Sequence, residues 1–332
     1  GNDVTITFAS NNDATLDLNS DSDGGTITVN SGVVGTMNHD TTNLDVTGKV
    51  GGISITSGAS GAITGAFVLE GNDGAISLTL ESTSNDVNVD VTNMNDITNN
   101  EAATLTVTAD GEATVTIATD GIDASNDSAV VITGDGITLD NGVNSNDNQG
   151  VDVTLTATGN DIAVTLNNVE SGPGDITATA ATSITATALD FISGAGDISL
   201  TATGNDISVT TGDIFSTSGD ITLVAGQTIT ADHIGNDADT AAAATTGDIT
   251  ITAGDVAAGA DLKALDGSIT IAGNTIVTVA GATTAADGVL ITGSNDVDLG
   301  TGFVGAVING ASATGKLNVD TAGGGAAGAI TV

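Results

Sequence analysis

The residues best suited to chemistry are four aspartates that recur at a nearly constant spacing. Each one follows a glycine and precedes an isoleucine: Asp175, Asp197, Asp220 and Asp248, which lie 22, 23 and 28 residues apart. If successive repeats stack about 5 Å apart, neighbouring carboxylates repel by roughly 1 kcal/mol in water. Calcium prefers clustered carboxylate and carbonyl oxygens and would remove this repulsion. The column is therefore a candidate calcium site, and the alternative is that each Asp caps a turn.

Other catalytic and metal-binding patterns find little support. The two histidines, His39 and His233, each stand beside an Asp at predicted corners, and neither has a second histidine at ligand spacing. The chain has no Cys, Trp or Tyr, and its three basic residues are all Lys. A groove that cleaves sugars would need aromatic platforms and basic side chains to hold its substrate. We therefore predict that the protein is not an enzyme and has no cofactor other than the candidate calcium, with a carbohydrate-active enzyme as the alternative.

The net charge of the chain limits the kinds of partner that the protein can bind. The chain carries 42 acidic and 3 basic residues, a formal charge of −39. Such a polyanion repels nucleic acid and anionic membrane surfaces. No apolar run approaches the roughly 18 residues that a spanning helix requires. The absence of Cys fits an exported protein.

The elements that would position the aspartates follow from three columns of aliphatic residues. The first column is predicted to contain Ile176, Ile198, Ile221, Ile249, Ile269 and Leu290. The second is predicted to contain Ile162, Ile184, Ile207, Ile229, Val256, Ile276 and Val297, and the third Val169, Phe191, Ile214, Ile234 and Leu262. Fixed self-similarity on this scale is typical of a solenoid built by stacking short repeats.

Within each block, apolar residues alternate with Thr or Ser, as in Ile198-Ser199-Leu200-Thr201-Ala202. A period of two is the signature of a strand with one buried face. Gly with Asp or Asn at the block boundaries supplies the turns. These patterns predict an all-β fold, a three-sided parallel β-helix (β-solenoid) with about 22 residues per coil. The usual crossover preference favours a right-handed coil.

We predict one domain over residues 1–332, less regular over 1–150 and regular over 151–300. The longer steps in all three columns place a single loop insertion near residues 235–246. In the less regular part, Ile55, Leu78, Leu105, Val131 and Leu155 are predicted to form one column, and Val89, Val115 and Ile137 another. The register of residues 1–50 is left open.

The stretch from about 150 to 300, with phrases such as Gly-Asn-Asp-Ile-Ser-Val-Thr and Gly-Asp-Ile-Thr-Leu-Val-Ala-Gly, resembles the β-helical shafts of filamentous-haemagglutinin-like exoproteins. It is also similar to repeat-rich bacterial surface and S-layer-like proteins. The resemblance implies an exported prokaryotic protein at the cell surface or outside the cell. It implies a structural rod in a filament, sheath, surface layer or adhesin shaft, with a cell-surface glycan or host receptor as a possible partner.

Both ends of the chain lie in strand-like sequence without caps. We therefore expect its ends to meet copies of itself, end to end, or flanking segments of a longer chain. Outward threonine pairs offer an alternative function: Thr154 with Thr156, Thr177 with Thr179, Thr228 with Thr230, and Thr250 with Thr252. A Thr array of this kind resembles the ice-binding face of solenoid antifreeze proteins, although the pairs are expected to be spread over more than one column.

Overall fold

The structure is a computed structural model. It describes the side chains of residues 77–83, 86–91, 103–117, 128–140, 143, 150–165, 168–187, 189–210, 212–231, 233–235, 247–253 and 269–271, and the backbone alone of the other strand residues. These parts of the chain contain strands, turns and bends, and no helix. The predicted all-β class is therefore confirmed. Most of the predicted loop insertion, residues 236–246, lies outside the described residues.

The chain divides into two compact units, Gly1–Gly172 and Pro173–Val332. Each unit repeats the same coil plan, and the single domain over 1–332 stays a prediction. The strands of the first unit are β1 (Val4–Phe8), β2 (Ala14–Leu16), β3 (Gly25–Ser31), β4 (Met37–Asp40), β5 (Leu44–Val46), β6 (Gly51–Ser57), β7 (Ile63–Gly71), β8 (Ile76–Ser82), β9 (Val87–Asp96), β10 (Ala103–Ala109), β11 (Glu112–Ile117), β12 (Ile122–Asp123), β13 (Ser128–Gly134), β14 (Gly136–Asp140), β15 (Val143–Asn144), β16 (Val151–Ala157), β17 (Ile162–Val164) and β18 (Val169–Glu170).

The second unit continues with strands of similar length. They are β19 (Ile176–Ala180), β20 (Ile184–Thr187), β21 (Phe191–Ser193), β22 (Ile198–Ala202), β23 (Ile207–Ser216), β24 (Ile221–Ala225), β25 (Thr228–Ile234), β26 (Ile249–Ala253), β27 (Asp255–Ala264), β28 (Ser268–Gly273), β29 (Ile276–Val279), β30 (Thr283–Ala285), β31 (Gly288–Gly293), β32 (Asp296–Leu299), β33 (Ala306–Ile308), β34 (Leu317–Asp320) and β35 (Ile330–Thr331).

Three files of parallel strands define the coil in the second unit. The first file runs β19, β22, β24, β26, β28, β31 and β34. The second runs β20, β23, β25, β27, β29 and β32. The third runs through β21, the later halves of β23, β25 and β27, then β30 and β33. Every pair is parallel, so the predicted three-sided parallel β-solenoid is confirmed.

The first unit has the same arrangement. Its first file runs β1, β3, β6, β8, β10, β13 and β16, with parallel pairing throughout. Its second file runs β2, β4, β7, β9, β11, β14 and β17. The third side is formed by β5, the later halves of β7 and β9, and β12, together with the pair β15 and β18.

The core consists of stacked aliphatic side chains that point inward from each file. In β22, β24 and β26 the side chains alternate between buried and partly exposed. Ile198, Ile221, Ile249 and Phe191 have no exposed surface. Burying an aliphatic or aromatic side chain of this size stabilises the fold by about 1.5–3 kcal/mol.

The register of the second unit follows the predicted columns for most of its length. Ile176, Ile198, Ile221, Ile249 and Ile269 stand opposite one another in order, across the 28-residue step as well. The second column holds from Ile184 to Val256, and the third from Phe191 to Leu262.

Two predicted positions in that unit are wrong by one residue. Val289, not Leu290, pairs with Ile269. Val277, not Ile276, pairs with Val256. Both errors fall where aliphatic residues follow one another directly, so the period of two has no unique phase there.

The first unit shows the same kind of error. Val130, not Val131, pairs with Leu105, and Val131 is partly exposed. Ile55 pairs with Leu80 rather than Leu78, and Ile137 with Ala113 rather than Val115. The last two errors are shifts of two residues, which keep the side chain on its predicted face.

Candidate functional site

The repeated Gly-Asp-Ile-Thr phrase forms a corner at which successive coils come very close. A Cβ on Gly196 would overlap the carbonyl oxygen of Gly174, and a Cβ on Gly219 would overlap that of Gly196. Gly247 is in the same position relative to Gly219. Glycine therefore recurs because the stacking distance leaves no room for a side chain.

The four predicted aspartates lie together at this corner, one per coil, and all are exposed. The backbone N–H of Asp197 donates to Asp175 Oδ1 at 2.8 Å. Asp220 N–H donates to Asp197 Oδ1, and Asp248 N–H to Asp220 Oδ1, both at 2.8 Å. We call this column of Asp175, Asp197, Asp220 and Asp248 the Asp ladder.

Backbone carbonyls of the same residues add a second set of bonds in the opposite direction. The N–H groups of Ile176, Ile198 and Ile221 donate to the carbonyl oxygens of Asp197, Asp220 and Asp248, each at 2.9 Å. Asp197 and Asp220 therefore bond to the coils both before and after them. This geometry fits the turn-capping interpretation, because one carboxylate oxygen satisfies a backbone donor that the corner would otherwise leave open.

The other two corners of the second unit contain the same kind of hydrogen bond, from a backbone N–H of one coil to an Asp carboxylate of the preceding coil. Asp206 Oδ1 accepts the N–H of Thr228 at 2.9 Å. Asp190 Oδ1 accepts the N–H of Asp213 at 2.7 Å. Carboxylates thus cap the next coil at all three corners of the second unit.

A buried serine column completes the corner and was not singled out from the sequence. Ser193 Oγ donates to the Gly174 carbonyl oxygen at 2.9 Å, and Ser216 Oγ donates to that of Gly196 at 2.7 Å. Both serines are fully buried, and Ser216 Oγ also accepts the N–H of Gly219 at 2.9 Å. Ser171, Ser193 and Ser216 recur at steps of 22 and 23 residues, the spacing that revealed the Asp ladder.

His39 lies within strand β4, so its predicted corner position is wrong, whereas His233 directly follows the register shift at which β25 passes from the second side to the third. His39 belongs to β4, where only the backbone is described. His233 lies in β25, and its Nδ1 is 2.7 Å from Asp213 Oδ1 of the preceding coil. Asp213 is 8% exposed. The pair links two coils on the third side.

Among the described residues, no group of three or more His, Cys, Asp or Glu side chains is arranged to hold a metal ion. In the Asp ladder, one oxygen of Asp175, Asp197 and Asp220 already accepts a backbone hydrogen bond. Calcium binding at the ladder stays a prediction.

The predicted threonine pairs occupy two different files. Thr154 with Thr156, Thr177 with Thr179, and Thr250 with Thr252 lie in first-file strands, whereas Thr228 with Thr230 lies in β25 of the second file. Register joins the first-file residues of the second unit into two outward columns. One contains Thr177, Ser199, Thr222, Thr250 and Thr270, and the other Thr179, Thr201, Val224 and Thr252.

Comparison with protein-family models, with curated proteins and with solved structures gives no match. Over the described ranges, no helix is long and apolar enough to span a membrane. The class that the fold defines is therefore the parallel β-solenoids, and any narrower assignment depends on the proposals that follow.

Proposed function

We propose that the protein is an extracellular structural β-solenoid, a rod that forms part of a filament, sheath, surface layer or adhesin shaft of a prokaryote. Its role is mechanical, without a catalytic step. The observation that carries this proposal is that, at all three corners of the second unit, an Asp carboxylate of one coil caps a backbone N–H of the next coil. Such bonds resist separation of neighbouring coils.

Packing supports the same role. The aliphatic files place a fully buried side chain from each coil against the next, so each coil needs its neighbours to bury its core. Outward positions of the first file in the second unit carry mainly Thr and Ser, which avoid large exposed apolar patches, and Thr also favours strands. The formal charge of −39 keeps separate molecules soluble.

Further copies, or further segments of a longer chain, are the partners that this architecture favours. The bonds that join neighbouring coils within the chain would equally join coils of two molecules stacked along the axis. A cell-surface glycan or host receptor is the partner that the resemblance to exported shafts adds. This resemblance rests on repeat style over residues 150–300.

Electron microscopy of the native protein, together with cell fractionation, tests the proposal. We expect elongated particles or filaments in the extracellular or cell-surface fraction. Compact particles confined to the cytoplasm would contradict it. Release of reducing sugar from polysaccharides by the purified protein would instead favour the carbohydrate-active alternative.

One observation favours ice binding as a second candidate function. The two outward columns of the first file form a regular array of hydroxyl-bearing side chains, broken among the described residues by Val224 alone. Regularly spaced hydroxyl and methyl groups on a flat face are suited to an ordered surface such as ice. Measurement of thermal hysteresis tests this function, and no hysteresis at millimolar protein would exclude it.

A further inference from the structure

The outward side chains of five successive first-file strands in the second unit, β19, β22, β24, β26 and β28, form a face without charge. The face contains Thr177, Thr179, Ser199, Thr201, Thr222, Val224, Thr250, Thr252 and Thr270, from β19, β22, β24, β26 and β28. We call it the hydroxyl face. By contrast, the first file of the Gly1–Gly172 unit carries the exposed acids Glu81 and Asp152.

An unbroken register and free hydroxyls distinguish the hydroxyl face from the second side of the same unit. Its register runs from β19 to β28 without a bulge. On the second side, Ser208 Oγ and Thr210 Oγ1 already bond to each other at 3.0 Å. No hydrogen bond joins the hydroxyls of the hydroxyl face to other residues that the structure describes.

We propose that the hydroxyl face is a lateral interface with a second copy of this chain. The reason is electrostatic: with 42 acidic and 3 basic residues, most approaches of two copies bring like charges together. The hydroxyl face lets two sheets pack with no carboxylate between them. The inference rests on the proposed structural role and identifies the surface through which rods associate side by side.

The Asp ladder determines the orientation of the two copies. It lies along the edge of the face where the strands begin, whereas the opposite edge carries the uncharged Ala181, Thr203 and Gly226. If the facing strands ran parallel, the two ladders would lie on the same side and repel. If they run antiparallel, each ladder lies over the uncharged edge of the other copy. The interface is therefore isologous, with its two-fold axis along the direction in which coils stack.

The size of the face sets the strength of association. Five strands about 4.8 Å apart, each five residues of about 3.3 Å, cover roughly 400 Å² per copy. Stable complexes usually bury about 800 Å² per partner. A single pair of faces therefore binds weakly, and copies joined along the axis bind more tightly through repetition of the contact.

The first experiment measures self-association by sedimentation velocity up to about 0.5 mM protein, a range chosen for weak pairs. The double variant Thr222→Asp/Thr250→Asp places two carboxylates in adjacent coils of the hydroxyl face. The matched variant Thr185→Asp/Ser208→Asp does the same on the second side. We expect the first variant to weaken dimerisation by about tenfold or more and the second to leave it within about twofold. Far-UV circular dichroism checks that both variants fold.

The second experiment tests orientation with Thr203, which is exposed at the uncharged edge. With antiparallel strands, Thr203→Lys faces the partner's Asp ladder and strengthens dimerisation by a few fold, and Thr203→Glu weakens it by a similar factor. Both effects shrink in high salt. Equal affinities for the two variants would overturn the antiparallel arrangement.

Three outcomes would overturn the interface itself. They are a wild-type chain that stays monomeric over the whole range, equal losses in the two double variants, and thermal hysteresis from a monomer that Thr222→Asp/Thr250→Asp abolishes. Electron microscopy separates this inference from the proposed function. Loss of particle width in the variant with particle length unchanged supports the lateral contact. Short, compact particles in the wild type count against the structural role instead.

Discussion

Asp220 illustrates how one corner residue serves two neighbouring coils. Its N–H donates to Asp197 Oδ1, and its own Oδ1 accepts the N–H of Asp248. Its carbonyl oxygen accepts the N–H of Ile198. At the residue scale, the recurring aspartate is therefore accounted for by hydrogen bonding along the stack.

Two substitutions of Asp220 separate the contribution of its hydrogen bond to stability from the contribution of its charge. Asp220→Ala removes the acceptor for Asp248 N–H and should lower the free energy of unfolding by about 1 kcal/mol. Asp220→Asn keeps the Oδ1 acceptor and should cost a few tenths of a kcal/mol or less. Denaturant titration measures both. Equal losses would show that the carboxylate charge matters, which would favour a bound cation.

Ser216 provides a second prediction at this scale. The hydroxyl is fully buried and bonds to both the Gly196 carbonyl oxygen and the Gly219 N–H. Ser216→Ala leaves both groups unsatisfied and should lower the free energy of unfolding by about 1–3 kcal/mol. Ser218→Ala removes an exposed bond of 3.3 Å two residues away and should cost less than about 0.5 kcal/mol. The reverse order would contradict the buried role of Ser216.

At the scale of the element, each strand is defined by the phase of its alternation. In β13 the residues Val130, Val131 and Ile132 are all aliphatic, and the structure buries the first and third. Pairing with Leu105 of the preceding coil and Val153 of the following coil sets this phase for Val130. Neighbouring strands therefore decide a choice that the local sequence leaves open.

Charged substitutions in β13 test the phase directly. Val130→Asp buries a carboxylate in the aliphatic file and should lower the free energy of unfolding by more than about 3 kcal/mol. Val131→Asp points outward and should cost about 1 kcal/mol or less. Thermal or denaturant unfolding measures the difference. A larger loss for Val131→Asp would contradict the register of the first unit.

At the scale of the whole molecule, the charge of −39 acts against the compact state. Raising NaCl from about 10 mM to about 0.5 M shortens the screening length from roughly 30 Å to a few Å. We therefore expect the melting temperature to rise with NaCl, because repulsion among the carboxylates is screened. A melting temperature that is independent of salt would show that the charges are too widely spaced to matter.

Comparing CaCl2 with NaCl at equal ionic strength distinguishes calcium binding at the Asp ladder from general screening of the charges. If the Asp ladder binds calcium, CaCl2 should raise the melting temperature more than NaCl does, and a chelator should reverse the gain. Asp220→Asn should then reduce the calcium-specific part. Identical melting curves in the two salts would leave the ladder as turn caps.

Periodicity alone predicted the fold class, the three files and most of the register in the second unit. The reason is physical: a solenoid repeats one environment, so buried Ile, corner Gly and capping Asp recur at the spacing of the coil. The 28-residue step between Ile221 and Ile249 was recognisable because all three columns lengthen together. The Asp ladder was found in the same way.

Tertiary structure decided what periodicity left ambiguous. At Val130, Val277 and Val289, consecutive aliphatic residues give two possible phases, and pairing with neighbouring coils selects one. The hydrogen bonds of Asp220, and the link between His233 and Asp213 of another coil, depend on distances between residues more than 19 positions apart. A periodic pattern specifies which residues recur, whereas stacking specifies which atoms meet.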